Sequence, residues 1–162
     1  MSVPVEDDLA IRRVVLRYCR GIDRMDRDLV RDCYHPDASD SHGSFSGGVE
    51  EFLTWVWRVL GRYTMTMHYI ANQLIEPLGP DRARCESYGM AVHRTEGGEP
   101  RGNLTTGFRY VDDFERRAGE WRIARRVATT EWVRAVAEDE WWPVPPGMLT
   151  GRRDRGDAVY GG

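Results

Sequence analysis

Residues 64–94 read TMTMHYIANQLIEPLGPDRARCESYGMAVHR, and their rhythm decides the fold class. Up to Gly61 the apolar residues recur three and four apart, whereas from Thr64 they alternate. The turn signal Gly79-Pro80-Asp81 splits the stretch into two long strands, Thr64 to Pro77 and Arg82 to Arg94. Alternation sends Ala83, Cys85, Ser87, Gly89, Ala91 and His93 to one face of the second strand. Side chains so small cannot fill the space beneath a helix to normal density, so the pattern predicts a hollow. On the first strand His68 shares a face with Thr66, Ile70, Asn72 and Leu74.

Downstream, Asn103 to Phe114 and Glu120 to Thr130 alternate in the same way. The turn signals are Gly97-Gly98-Glu99-Pro100 and Ala118-Gly119. Ala124, Arg126 and Ala128 share a face of the last strand, with Arg125 the substitute if the phase is shifted by one. If these faces converge, they enclose an apolar pocket holding His68, His93 and Arg126, the usual make-up of a small-molecule site.

Upstream lie three helices. The first spans residues 4 to 23: Pro4 suits the first turn, Glu6, Asp7 and Asp8 complement the helix dipole, and Ile11, Val15, Tyr18 and Ile22 form a stripe ending at Asp23. The second, Arg27 to Tyr34, is stopped by Pro36. Residues 37 to 48 read as a loop or short edge strand. The third helix, Val49 to Leu60, carries Phe52, Trp55, Val56 and Val59 on one face and ends at Gly61. Helices followed by a strand meander predict an α+β domain with the helices on one face of an antiparallel sheet.

The 162 residues suit one domain, residues 1 to 140, with a Pro-, Gly- and Arg-rich tail over 141 to 162. All 23 basic residues are arginine, which excludes a lysine Schiff base. A net charge of −3 offers no footprint for nucleic acid. Cys19, Cys33 and Cys85 match no zinc or redox spacing and favour a reducing compartment. The acidic start and the lack of a long apolar run lead us to expect a cytoplasmic protein without a membrane span. The four histidines show no metal-ligand spacing, and no glycine-rich phosphate loop follows a strand, so neither metal, nucleotide nor flavin is expected.

Three segments, Tyr18-Cys-Arg-Gly-Ile-Asp23, Met67-His68-Tyr69-Ile-Ala-Asn72 and the run from Tyr110 through Trp121 to Arg126, occur in this order. Together, over about residues 5 to 135, they resemble the SnoaL-like branch of the nuclear-transport-factor-two-like superfamily. The pattern is similar to that of its lindane dehydrochlorinase, bile-acid 7α-dehydratase and scytalone dehydratase members. The resemblance implies a cone, a curved antiparallel sheet wrapped around the N-terminal helices (a cystatin-like α+β barrel). It also implies cofactor-independent elimination from a hydrophobic cyclic molecule, with His68 as general base and Asp23 as its orienter. Tyr18 would hydrogen-bond a carbonyl or departing hydroxyl, His93 would act as acid or wall, and Arg126 would sit near the leaving group. Where the bile-acid enzyme has its own arginine, Thr130 stands here, a departure from that member. Asn72, Asn103, Trp132, Trp55 and Tyr88 are candidates for the substrate wall. An isomerase or polyketide-cyclase reaction on the same site, and a non-catalytic binding protein, are the rival readings. Homodimers or homotrimers are expected from the family.

Overall fold

The computed structural model describes residues 3–95 and 103–161. Two helices, α1 (Val5–Asp23) and α2 (Arg27–Arg31), precede a hairpin of β1 (Tyr34–His42) and β2 (Phe45–Gly48). Helix α3 (Val49–Leu60) leads into four long strands: β3 (Met65–Gly79), β4 (Arg82–Arg94), β5 (Leu104–Arg117) and β6 (Glu120–Ala135). The six strands form one curved sheet in the order β2-β1-β6-β5-β4-β3. The expected turn at Gly97-Gly98-Glu99-Pro100 lies outside the described residues. No described helix is long and apolar enough to cross a membrane.

The core sits between the helices and the inner face of the sheet. From α1 come Ile11, Val15, Tyr18 and Ile22; from α3, Phe52, Leu53 and Val56; from the sheet, Phe108, Tyr110, Phe114 and Ile123, all buried. Each aliphatic or phenylalanine side chain buried in this way stabilises by about 1.5–3 kcal/mol. Helix α2 packs tightly on the end of α1 because residue 21 is glycine: a Cβ there would lie 2.5 Å from Val30 Cγ2. That contact fixes the α1–α2 corner, and with it the position of Asp23.

Two features differ from the sequence reading. The second helix stops at Arg31 and residues 34–42 form an internal strand, so of the loop or short edge strand expected over 37–48 only β2 is an edge strand. Strand β1 runs parallel to β6, so the sheet is mixed and not wholly antiparallel. Pro36, which lacks an N–H to donate, falls where the β1–β6 register is interrupted between Tyr34 and Ser39.

Bulges redirect several side chains. Opposite β4, β3 has one residue too many between Ile70 and Gln73. Gln73 therefore turns inward to donate to Ser87 Oγ at 3.0 Å, while Asn72 is left exposed. On β6, Ala124 and Glu131 are the surplus residues opposite β5. Trp132 consequently lies across Gly107 on the outer face, 46% exposed.

The tail docks on its own chain. Arg155 and Tyr160 both donate to Asp26, and Arg24 pairs with Asp157 at 3.0 Å. Arg153 donates to the carbonyls of Leu60 and Tyr63.

Candidate active site

Asp23 is the last residue of α1, where a negative charge opposes the helix dipole. Three hydrogen bonds from β3 hold it there. Its Oδ1 accepts from Thr66 Oγ1 at 3.0 Å and lies 2.7 Å from His68 Nδ1, while Oδ2 accepts from the His68 backbone N–H at 2.9 Å. Since an ionised carboxylate can only accept, Nδ1 of the neutral imidazole carries the hydrogen and Nε2 keeps a free lone pair. Both side chains are about nine-tenths buried.

His68 opens on a cavity of about 230 Å³ lined by strands β1, β3, β4, β5 and β6, with Gly43 and Tyr63 at its edge. Phe108 and Tyr110, with ring centroids 4.5 Å apart, make its floor. Ala91 and Ala128 keep it open, and Thr106 and Thr130 line it, while the Thr129 hydroxyl turns to Glu131. The small-residue face of β4 accounts for only part of this space. The Phe108 ring lies over Gly89, where a Cβ would meet it at 2.5 Å. A wider groove of about 810 Å³ runs between the tail and the start of β3, lined by Trp141, Trp142, Arg24, Arg94 and Arg153; neither His68 nor His93 opens into it.

His93 reaches the cavity beside His68, with ring centroids 6.0 Å apart, and packs on Tyr63 at 4.8 Å. Burial, reinforced by the His68 ring, pushes the His93 imidazole down to about 4. It is therefore a neutral imidazole at pH 7. The unfolded chain binds this proton near 6.5 and the folded chain near 4, so acidification between those values costs about 3 kcal/mol of stability. Urea unfolding at pH 7 and pH 4 checks this: the His93→Phe variant loses less stability across the interval than the wild type, by about that amount.

Tyr18 and Arg126 lie beneath the cavity, not on its wall. Arg126 is fully buried and forms two hydrogen bonds to Asp112, Nε to Oδ1 at 2.7 Å and Nη2 to Oδ2 at 2.6 Å. Its guanidinium is sandwiched between the rings of Tyr110 and Tyr18, 4.0 and 4.1 Å from their centroids. Burial pushes the Tyr18 phenol far above its ordinary range, which suits a packing role and not proton transfer. The stripe of α1 points Tyr18 inward, as read from the sequence, but it is fully buried and does not line the cavity.

The wall candidates disperse. Asn103 is buried and accepts from the Thr95 N–H at 2.9 Å, tying the ends of β4 and β5. Trp55 stacks on Phe45 and backs the His42 ring from α3. Tyr88 stands on the outer face under Arg109, and Asn72 and Trp132 face outward because of the bulges. Among the described residues no cluster of His, Cys, Asp or Glu is arranged to hold a metal ion.

Sequence reasoning missed His42, which lines the cavity from the end of β1. Its ring stacks on Phe52 at 5.7 Å, and its Nδ1 lies 3.6 Å from Oδ1 of the fully buried Asp40. The available signal was the spacing Ala38, Asp40, His42, an inward-facing strand pattern whose inner residues are polar.

Comparison with known proteins places this geometry among relatives. The family model described as the SnoaL-like domain matches residues 3–127. The uncharacterized protein Rv2910c of Mycobacterium tuberculosis is 28% identical over 129 residues, covering 77% of this chain and 86% of that protein. Among solved structures, a type 2 hexachlorocyclohexane dehydrochlorinase (LinA) superposes with a TM-score of 0.77 at 20% identity, covering 89% of this chain and 97% of that one. A scytalone dehydratase-like protein from Novosphingobium aromaticivorans gives 0.74 at 19% identity, covering 90% and 97%. At such identities the likeness is one of fold.

Proposed function

Because the chain belongs to the SnoaL-like domain family, we propose that its cavity is the active site of a cofactor-independent lyase. The reaction is elimination, of water in the simplest case, from a small hydrophobic ring. The observation that carries this reading is the clamp on His68, with a buried carboxylate fixing both its tautomer and its backbone while the ring lines a half-open cavity of mixed polar and apolar lining. Such an imidazole is suited to take a proton from carbon beside a carbonyl, and Asp23 stabilises the imidazolium that results. The cavity volume of about 230 Å³ lies below the usual range for drug-sized ligands and favours a single ring over a fused polycycle.

Isomerisation would begin with the same proton abstraction, so the same clamp supports it as the second reading. Product analysis separates the two. Incubation with a panel of monocyclic β-hydroxyketones and β,γ-unsaturated ketones, followed by mass spectrometry, should show products lighter by one water. Products of unchanged mass would assign the site to isomerisation. A ligand bound and never converted would make the cavity a receptacle.

A further inference from the structure

The cavity has a second carboxylate–imidazole pair on its far side. His42 ends β1 and His68 stands on β3, with β6, β5 and β4 between them in the sheet. Sheet curvature brings both rings to one cavity, at opposite ends of the Tyr110–Phe108 floor: His42 lies 5.9 Å from Tyr110, and His68 lies 6.0 Å from Phe108, between ring centroids. We propose that His42, backed by Asp40, is the general acid that delivers a proton to the departing oxygen.

This assignment rests on the reading of His68 as base, and three observations carry it. Asp40 is fully buried; its Oδ2 accepts from Tyr34 Oη at 2.6 Å, while its Oδ1 has no hydrogen-bond partner. The Nδ1 of His42 is likewise buried without a partner, and the two unpaired atoms face each other at 3.6 Å. A small ring rotation joins them and leaves Nε2, on the other side of the ring, for the substrate.

The second observation is the buried charge behind the pair. Asp112, Arg126, Tyr34 and Asp40 form a continuous chain in which Arg126 Nη1 reaches Tyr34 Oη at 3.5 Å. Arg126 bonds Asp112 directly and reaches Asp40 only through Tyr34, so Asp40 Oδ1 is left facing the His42 ring. The third is that His93, the other imidazole on the wall beside His68, is held neutral by burial.

The chemistry balances without a cofactor. His68 Nε2 takes the proton on the carbon beside the carbonyl, and the C–H electron pair becomes the C=C bond. The C–O bond breaks toward oxygen, His42 gives that oxygen a proton, and water leaves. His68 ends protonated and His42 neutral, and exchange with solvent resets both.

The test compares leaving groups that do and do not need a proton: 3-hydroxycyclohexanone, which expels hydroxide, and 3-acetoxycyclohexanone, which expels acetate. In His42→Gln the ratio of acetate to hydroxide elimination should rise by about 10²–10⁴ over wild type. Asp40→Asn should move it in the same direction. Partial unfolding lowers both rates together and leaves the ratio in place, so a misfolded variant does not mimic the result. An unchanged ratio overturns the assignment of His42. If His68→Ala then still abolishes both eliminations, the base stands and only the acid falls. If the wild type eliminates from neither ketone, the reading of the site fails and this assignment fails with it.

Discussion

The His68→Ala variant should turn over substrate about 10³–10⁴-fold more slowly than wild type while remaining folded. The expectation follows from the position of the imidazole. Its Nδ1 edge is taken by Asp23 and its other edge faces the cavity, where His93, held down to about 4, is the weaker base. Alanine at position 68 retains the backbone N–H that Asp23 Oδ2 accepts, and Thr66 still donates to Oδ1, so the carboxylate is not stranded. Asp23→Asn is a finer probe. An amide NH₂ facing Nδ1 favours the opposite tautomer and removes the basic lone pair from the cavity side, with a loss of similar size. Initial rates on a turned-over ketone, with circular dichroism melts on the same samples, check both; an active His68→Ala enzyme would end the mechanism.

The largest effect on stability is expected at Arg126. The Arg126→Met variant should lose about 3–5 kcal/mol, because Asp112 is left charged, buried and unpaired. The sandwich between Tyr18 and Tyr110 adds a desolvated cation–π contribution of about 2 kcal/mol that methionine does not replace. Pairing the change with Asp112→Leu should recover most of the loss, since apolar side chains of similar volume often match a buried ion pair. Urea unfolding of the two single variants and the double variant measures this coupling. Additive losses would show that the pair is not held together as described.

The parts of the molecule written in apolar periodicity were legible in the sequence. Helices α1 and α3 and strands β3 to β6 fall close to where the three-and-four and alternating patterns put them. The juxtaposition of His68 and Asp23 was reached through family resemblance joined to strand phase. Strand β1 was legible only as a loop or short edge strand, because its inward positions Asp40 and His42 are polar and its start contains Pro36. Depth was also invisible. Periodicity gives the face on which Tyr18 and Arg126 lie, but their burial beneath the cavity depends on Asp112 and Tyr110 arriving from a strand far along the chain. Alternation puts Asn72 on the inner face only if it is carried through a bulge that no residue type announces, and a second bulge, at Glu131, turns the wall candidate Trp132 outward.

Those surplus residues have a consequence for how this interior can be resized. An added residue tightens strand twist and coils the sheet over its contents, so the capacity of the chamber depends on residue count as well as side-chain bulk. Deleting Ala71 or Asn72 would restore regular alternation from Ile70 to Gln73 without reversing any inward side chain, and would flatten the wall that carries His68. One lost codon is thus a route to a roomier container, with His68 and Asp23 still in frame.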